Sequence, residues 1–492
     1  MSSGTGSVLA LDIGTSAVRA SVVDAQGEIV AAQAKALAPS SSGTGLDLEA
    51  LWRQVTSVVR AIGPPLATVE AVGVTAQLGY VLIDDDGRPA VDALPWADWR
   101  AASEAVELAE VFGDDAAIAG RRITPELAVS KLRWWARRCP AEYARSRLLL
   151  SIKDFVVLRL TGAAVTDETH ASYTGLYDVR RRQWSNRLIV ASDVDPSLLP
   201  SVRSAPEPAG EVTAEAASAT GVAAGVPVAV GGPDGSVGAV GAGAVRPGVT
   251  IDVAGSTDVL LHTLDDPPAS SGCAVLNAHV VPGLWTIGGP TGMTGGAIGW
   301  LARFVGRPSV AALYDEFGKE AATLPPGADG LVFVTTLTGR RFPDWGEASG
   351  GRLCGLAPHH TPAHFLRAAE EGAAFLALEG IGALRECGCR IDEVVCVGGG
   401  AARPDAVQLR ADAWGLPVRT LANEQASTYG AAALARTAAG LDASVEAAVG
   451  RLLRPGRTYE PHGDDAQDLR TAFQRWRAMY RQIQTIGVGG GR

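Results

Sequence analysis

Cysteine is scarce. Six residues scattered through 492 cannot staple a fold, and the one close pair, Cys387-Gly388-Cys389, has the wrong spacing for a zinc knuckle. A reducing cytoplasm is the expected setting. Basic charge is also short: the net charge is −10 and no dense basic stripe offers itself to a phosphate backbone, so nucleic acid is not an expected partner. The one basic run, Arg180-Arg181-Arg182, reads as a solvated turn. The N-terminus lacks a basic segment followed by an apolar run, so no signal peptide is expected. Gly221 to Val245 is apolar enough to resemble a membrane span. Gly, Ala and Val dominate it, however, and Pro227, Pro233 and Asp234 interrupt it; a strand, a turn and a helix are predicted instead, with no membrane partner. His170, His279 and the His359-His360 pair lack the spacing with carboxylates that a metal site requires, and read as core or surface residues. No Gly-x-Ser-x-Gly nucleophile sits convincingly at a strand-to-helix turn, which disfavours a hydrolase.

What is present is a globular composition, 47% hydrophobic and 20% charged, in a chain too long for one ordinary core. Two large α/β domains with a cleft between them are expected, with loose tails at Met1 to Ser7 and Gly487 to Arg492. The apolar pattern predicts a buried strand from Val8 to Asp12, a turn at Gly14 to Ser16 and a returning strand from Val18 to Val23, then a turn at Gly27 and a strand from Ile29. Thr250 to Val253, Gly255 to Thr257 and Val259 to Thr263 repeat that plan, which points to a duplicated unit divided near Arg246 to Gly248, as residues 1–246 and 247–492. Helices are predicted over Ala297 to Val305, from the Thr361-Pro362 cap to near Gly388, and over Asp405 to Trp414; Val394 to Val397 reads as a strand. Leu148 to Leu160 is an apolar segment carrying Lys153-Asp154, and Ala31 to Gly45 and Ala205 to Gly210 read as small-residue loops.

Three turns rich in glycine and hydroxyls carry the chemistry: Asp12-Ile13-Gly14-Thr15-Ser16, Gly255-Ser256-Thr257 and Gly398-Gly399-Gly400. An acidic turn, Gly231-Gly232-Pro233-Asp234-Gly235, lies between the first two. Glycine lets backbone N–H groups close on phosphate oxygens, and an adjacent hydroxyl or carboxylate can reach the phosphate or its magnesium. Asp12 is the candidate holder of Mg²⁺, through water, because magnesium gives up its hydration reluctantly. Thr15 and Ser16 are candidates to face the transferring phosphate, and Arg19 to clamp the γ-phosphate. Asp234 is the candidate base, since phosphoryl transfer needs one carboxylate to orient and deprotonate the attacking hydroxyl. Each residue also has a plainer reading, as turn chemistry at a strand end or as a surface charge. The order of the turns points to a kinase.

These motifs resemble, over nearly the whole chain, the FGGY carbohydrate kinases within the sugar kinase, Hsp70 and actin superfamily. Leu11 to Ser16 matches the first phosphate motif, Gly232-Pro233-Asp234-Gly235 the acidic motif, Ala254 to Thr257 the second phosphate loop and Val397 to Ala402 the adenosine motif. Gly295-Gly296 with Trp300-Leu301, Gly339 to Pro343 and Glu424 to Gly430 match further elements. The resemblance implies two ribonuclease-H-like (actin-like ATPase) domains, an interdomain catalytic cleft, and ATP with Mg²⁺ bound there. It places Gly255, Ser256, Thr257, Gly296, Gly399 and Gly400 at the nucleotide beside Gly14, Thr15 and Ser16, and makes Asp234 the base. It implies a small sugar or polyol as partner, and family habit implies a homodimer. The acceptor elements are Gln77-Leu78-Gly79 and Trp96-Ala97-Asp98-Trp99-Arg100, so that Gln77, Trp96, Asp98 and Arg100 join Asp234 around the substrate. Here the sequence departs from the family: a histidine after Gln77 is missing, Ala97 replaces Asn in a form closer to gluconate kinases, Gly339-Arg340-Arg341 replaces Gly-Glu-Arg, Ser349-Gly350-Gly351 replaces Ala-Arg-Gly, and Gly235 replaces Asn. The expected reaction is ATP-dependent phosphorylation of a hydroxyl of a small sugar, polyol or sugar acid, D-xylulose first and gluconate next. The rivals are a nucleotide-dependent binding or regulatory protein that keeps the clamp without turnover, and a plain ATPase acting as a switch.

Overall fold

A computed structural model describes residues 6–37, 45–346, 350–422 and 425–485. Residues 1–5 of the first expected tail, all of the second, residues 38–44 of the 31–45 segment, Ser349 and Glu424 lie outside the described residues.

The first strand, β1 (Ser7–Ile13), is buried along its whole length, as a near-continuous apolar run in the middle of a sheet should be. The turn at Gly14 returns the chain antiparallel as β2 (Ala17–Val23), and Ile29–Ala36 adds the next strand outward, largely exposed. The predicted loop from Ala31 is therefore strand as far as Ala36, because its small side chains pair across to Ala17–Val22. On the other side of β1 lies the parallel β3 (Val69–Ala76), which pairs in turn with Pro227–Ala229 and, further along, with β4 (Gly232–Pro233). Pro208–Glu211, expected as loop, closes this edge as a short strand.

The second sheet repeats the order. Its central β5 (Thr250–Ala254) is flanked by antiparallel β6 (Thr257–Leu264), then Trp285–Met293 and Val275–Ala278. On the other side stand parallel β7 (Val394–Val397), then Val418–Leu421 and Pro455–Tyr459. In both sheets the first strand is central, with the second antiparallel on one side of it and a later strand parallel on the other, so the two β-turn-β units occupy equivalent places.

Five helices position the site: α1 (Asp234–Gly241), α2 (Gly295–Phe304), α3 (Pro362–Glu386), α4 (Pro404–Trp414) and α5 (Ala426–Ala438). The Thr361 cap of α3 forms a reciprocal capping box with His364. The apolar segment Leu148–Leu160 divides into a strand, Leu148–Ser151, and a helix, Ile152–Thr161, because Ser151 and Asp154 cap each other's backbone N–H. α5 comes late in the chain yet packs on the first sheet: Ala431 to Ala435 share a core with Val8, Ala10 and Ala71, and Arg436 donates to the Gly6 carbonyl at 2.5 Å. α1 and α5 touch at their glycines. A Cβ on Gly241 would lie 1.9 Å from the Ala426 oxygen, and one on Gly430 1.9 Å from the Val237 oxygen.

Arg180 to Arg182 form a turn, but only Arg181 is solvated. Arg180 donates to the carbonyls of Pro268 and Ala269, while Arg182 pairs with Glu168 and stacks on Trp285, because a guanidinium fork reaches carbonyls and rings of the second half that a solvated charge would leave bare. Among the described residues no helix is long and apolar enough to cross a membrane.

Candidate functional site

At the end of β1 the chain turns on Gly14, whose N–H donates to the Ala17 carbonyl at 3.0 Å, and leaves Thr15 and Ser16 exposed at the tip. Asp12, just before the turn, is 8% exposed and meets Arg19 of β2 at 3.3 Å. Burial raises its pKa more than half-exposed Arg19 lowers it, so the carboxylate is under-neutralised where it stands.

Register carries Asp12 to its partner. Asp12 pairs with Thr75 of β3, and on the far side of β3 Thr75 pairs with Gly232 of β4 and donates its hydroxyl to the Gly232 carbonyl at 2.9 Å. Strands lie about 4.8 Å apart, so β1 and β4 end roughly 10 Å from one another, both at the cleft. Asp234 follows two residues later. It is the first residue of α1 and not a turn residue as expected, because Pro233 fits the position before a helix. Its Oδ1 accepts from the Gly235 N–H at 2.7 Å. Burial first, and then the negative charge of Asp12, push its pKa up to about 6.

A buried network holds this segment from behind. Lys153, fully buried, donates to the Val230 carbonyl at 2.8 Å and pairs with Asp154 at 2.5 Å and Asp167 at 3.0 Å. Burial alone would lower the lysine's pKa, but the two carboxylates raise it. Asp167 also accepts from His170 Nδ1 at 2.6 Å and caps the short helix that follows. Gly231, with φ 76°, makes the bend: a Cβ there would lie 2.0 Å from the Val74 oxygen. Lys153-Asp154 stood out in the sequence as charge inside an apolar run; that was the available signal, and it pointed to no role until the fold brought Asp167 and Val230 to it.

The second turn is built into its surroundings by backbone. Gly295 and Gly296, at the start of α2, donate to the carbonyls of Gly255 and Ser256 at 3.2 and 3.0 Å, leaving Ser256 exposed and Thr257 partly so. Asp258, next along β6, is buried against Arg410 of α4 at 3.0 Å and also accepts from the Thr294 hydroxyl. Arg410 meets Asp252 of β5 at 3.3 Å. Burial raises both carboxylates, and the charge of Asp258 adds to the rise at Asp252. At the end of β7, Gly398 (φ 88°) approaches Ala254 so closely that a Cβ would lie 2.8 Å from its oxygen, and Gly399 and Gly400 form the helical turn that leads to α4. Beside it opens a cavity of about 280 Å³, walled by Val397, Gly398, Gly399, Ala401 and Leu421. Apolar and backbone walls of this kind suit a flat heterocycle.

The expected acceptor residues are less free. Gln77 is buried, tied by its N–H to the Ile13 carbonyl at 2.8 Å and by its side chain to the Gly14 carbonyl at 3.4 Å. Trp96 joins the same region through its N–H to the Leu78 carbonyl. Asp98 and Arg100 bond each other in a fork of 2.7 to 2.9 Å, and Arg100 lies over Trp134. Although burial opposes it, the Arg100 hydrogen bonds hold Asp98 below the usual carboxylate range. Beneath them Lys131, fully buried and lowered to about 8 by that burial, donates to the Pro95 carbonyl at 2.8 Å. Thus Asp12, Gly14 to Ser16, Arg19, Gln77 and Asp234 gather at one sheet end, and Gly255 to Thr257, Gly296 and Gly399-Gly400 at the other. Trp96, Asp98 and Arg100 attach to the first group through Leu78. Lys131, Lys153, Asp167 and Arg410 were not foreseen as parts of the site.

Residues 7–241 match the N-terminal domain, and residues 253–439 the C-terminal domain, of the FGGY family of carbohydrate kinases. The chain is 29% identical over 493 residues to a protein of Bacillus subtilis (strain 168) named xylulose kinase, with 98% of each covered. It is likewise 29% identical over 512 residues to a Yersinia enterocolitica protein named autoinducer-2 kinase, covering 98% of this chain and 96% of that one. Among solved structures, xylulose kinase from Rhodospirillum rubrum matches with a TM-score of 0.89 at 28% identity, covering 97% of this chain and 99% of that one. Equal identity to proteins named for different acceptors leaves the acceptor to be read from the site.

Proposed function

The chain belongs to the FGGY family of carbohydrate kinases and is an ATP-dependent phosphotransferase with an alcohol group as acceptor, and from that premise we propose that Asp234 is its base and the two turns its phosphate grip. The observation that carries this is the pair of carboxylates, Asp12 and Asp234, at the cleft ends of strands flanking β3, with Asp234 raised to about 6. A base with that pKa is charged at neutral pH yet still basic enough to draw a proton from a sugar hydroxyl as the phosphoryl group arrives.

Kinases of this family use ATP with Mg²⁺. The residues fit both. Asp12 is short of positive charge, and among the described residues no cluster of three His, Cys, Asp or Glu could hold a metal, so Asp12 would hold Mg²⁺ through water, leaving the remaining positions to water and phosphate oxygens. The ion would supply charge neutralisation at the phosphates. Thr15, Ser16, Gly255, Ser256 and Thr257 offer hydroxyls and backbone N–H groups to the phosphates, Arg19 a guanidinium, and Gly296, Gly399 and Gly400 the close backbone approach around the nucleotide. We place the nucleotide's base in the cavity beside Gly399. The division into residues 1–246 and 247–492, with the cleft between, and a cytoplasmic location belong to the same reading.

The acceptor is a small open-chain sugar, polyol or sugar acid bearing a primary hydroxyl, bordered by Gln77, Trp96, Asp98 and Arg100. D-xylulose, for which full-length relatives are named, and gluconate are the two leading candidates, one neutral and one acidic. A coupled assay of ADP release across ketopentoses, pentitols, hexonates and glycerol identifies the acceptor. Asp234→Ala is expected to abolish phosphorylation while ATP still binds; full activity in that variant removes the assigned base.

A further inference from the structure

Arg121 is 8% exposed and stands without a carboxylate in ion-pair reach among the described residues. Its Nη2 donates across the cleft to Oδ1 of Asn277, and its guanidinium carbon lies 4.0 Å from the centre of the Tyr173 ring. Nε has no partner, and neither has the buried hydroxyl of Thr124, three residues on. Both residues line one cavity of about 310 Å³, closed on its other side by residues 269–275 of the second half. Glu126 borders the same cavity without pairing with Arg121, and its charge also falls on buried Lys131. Burial lowers the pKa of Arg121, the mark of a cation that its surroundings do not fully answer. A buried cation met by a neutral amide and a ring destabilises the protein unless an anion joins it.

The segment that Arg121 touches runs on to the segment that carries the base. From Asn277, three further residues along the chain lead to Val280, whose side chain packs on Gly232 so tightly that a Cβ there would lie 2.6 Å away. Gly232 is two residues before Asp234. Extended chain rises about 3.3 Å per residue, so Asn277, which Arg121 touches, and Val280, which touches Gly232, stand at most roughly 10 Å apart. Tyr173 senses both Arg121 and Asp234: its ring is under Arg121, and its hydroxyl is raised by burial and in part by the charge of Asp234.

Resting on the kinase reading above, we propose that Arg121, with Thr124, receives the carboxylate of an open-chain sugar acid whose far primary hydroxyl is presented to Asp234. A guanidinium fork matches a carboxylate with two parallel hydrogen bonds of about 2.8 Å, and the Thr124 hydroxyl adds a third donor. An extended chain of five or six carbons fills the remaining distance. A neutral ketose or polyol of the same length leaves the guanidinium unanswered, and that difference sets the selectivity.

The test is the ratio of kcat/KM for an acid to that for a neutral analogue, D-gluconate against D-glucitol and D-xylonate against D-xylulose, by coupled ADP release. The wild-type protein is expected to prefer an acid. Arg121→Gln should lower the acid-to-neutral ratio by about 100-fold or more, mainly through KM for the acid, with Arg121→Lys in between. Asn277→Ala, which cuts the same contact between the halves but keeps the cation, should retain the acid preference; thermal melts verify that each variant is folded. The proposal is overturned if D-xylulose is used at least as well as every acid, if Arg121→Gln lowers acid and neutral substrates equally, or if Asn277→Ala lowers the ratio as much as Arg121→Gln does. It is also overturned if free acetate saturably alters D-xylulose turnover without competing with D-gluconate, since the cavity then serves a separate anion. If no sugar or acid in the panel raises ADP release, the kinase reading itself has failed; turnover of neutral sugars alone removes only the carboxylate site.

Discussion

The same strand-turn-strand unit occurs twice, and a carboxylate beside each turn has met opposite fates. Asp12 precedes the first turn, half-answered by Arg19 and lifted by burial; Asp258 follows the second, buried and bonded to Arg410 and Thr294. The position equivalent to Asp12 in the second unit is Val253, one residue before the Ala254-Gly255 bend. Duplication therefore supplied two cradles of the same shape with different charge. The first can take part in chemistry at a metal-bound phosphate, while the second offers neutral donors and uses its carboxylate to fasten α4 to the sheet.

That contrast can be broken in four places. The largest effect belongs to the base: Asp234→Asn, the isosteric change, should lower kcat by about 10²- to 10⁴-fold with little change in KM for ATP, measured by coupled ADP release. Next, Arg410→Ala should act on stability before activity. It leaves Asp252 and Asp258 buried without their cation, at a cost of about 3–5 kcal/mol read from denaturant melts, whereas Arg19→Ala, at the half-exposed first pair, should change stability by less than about 1 kcal/mol. If both variants melt alike, the two carboxylates do not differ as described.

Smaller still, Ser256→Ala removes one neutral donor from the second turn and should raise KM for ATP by roughly 10-fold with kcat nearly kept. The finest test is the pH profile. A base must be deprotonated to act; with its pKa raised to about 6, kcat/KM should climb as pH rises through about 6 and level off above. Asp12 contributes to that elevation, so Asp12→Asn, whatever its effect on rate, should move the acid limb to lower pH. An acid limb that stays in place separates the two carboxylates and dissolves the pairing across β3.

The turns proposed to grip phosphate were legible in the sequence because backbone builds them. Gly398 stands where no side chain fits and Gly14 and Gly255 stand in turns at strand ends, and a run of glycines and hydroxyls after an apolar strand records that directly. The duplicated strand-turn-strand unit was legible for the same reason, from its repeat along the chain. Of the residues proposed around the acceptor, the sequence named Gln77, Trp96, Asp98 and Arg100 but not the partners that hold them. Lys153 acquires meaning only when Asp167 and Val230 arrive from elsewhere in the chain, and Arg121 only when Asn277 comes from the other half. Asp98 and Arg100, two residues apart, were visible as a charged turn but not as a pair that satisfies itself. Local pattern shows what a segment can do alone; a buried ion pair between distant segments leaves no periodicity to read. The helix α5 shows the same limit, since nothing in Ala426–Ala438 indicates that it lies on the first sheet.

The crossing of α1 and α5 carries a consequence for how the molecule moves. Where Gly241 and Gly430 meet the opposite backbone, the bearing surface is peptide against peptide, with less clearance than a single methyl group occupies. Such a joint has no soft side chain to compress, so turning of one lobe on the other must be absorbed by torsion along the helices themselves. Any turning of α1 on α5 therefore works main chain against main chain, at a contact that does not depend on side-chain identity.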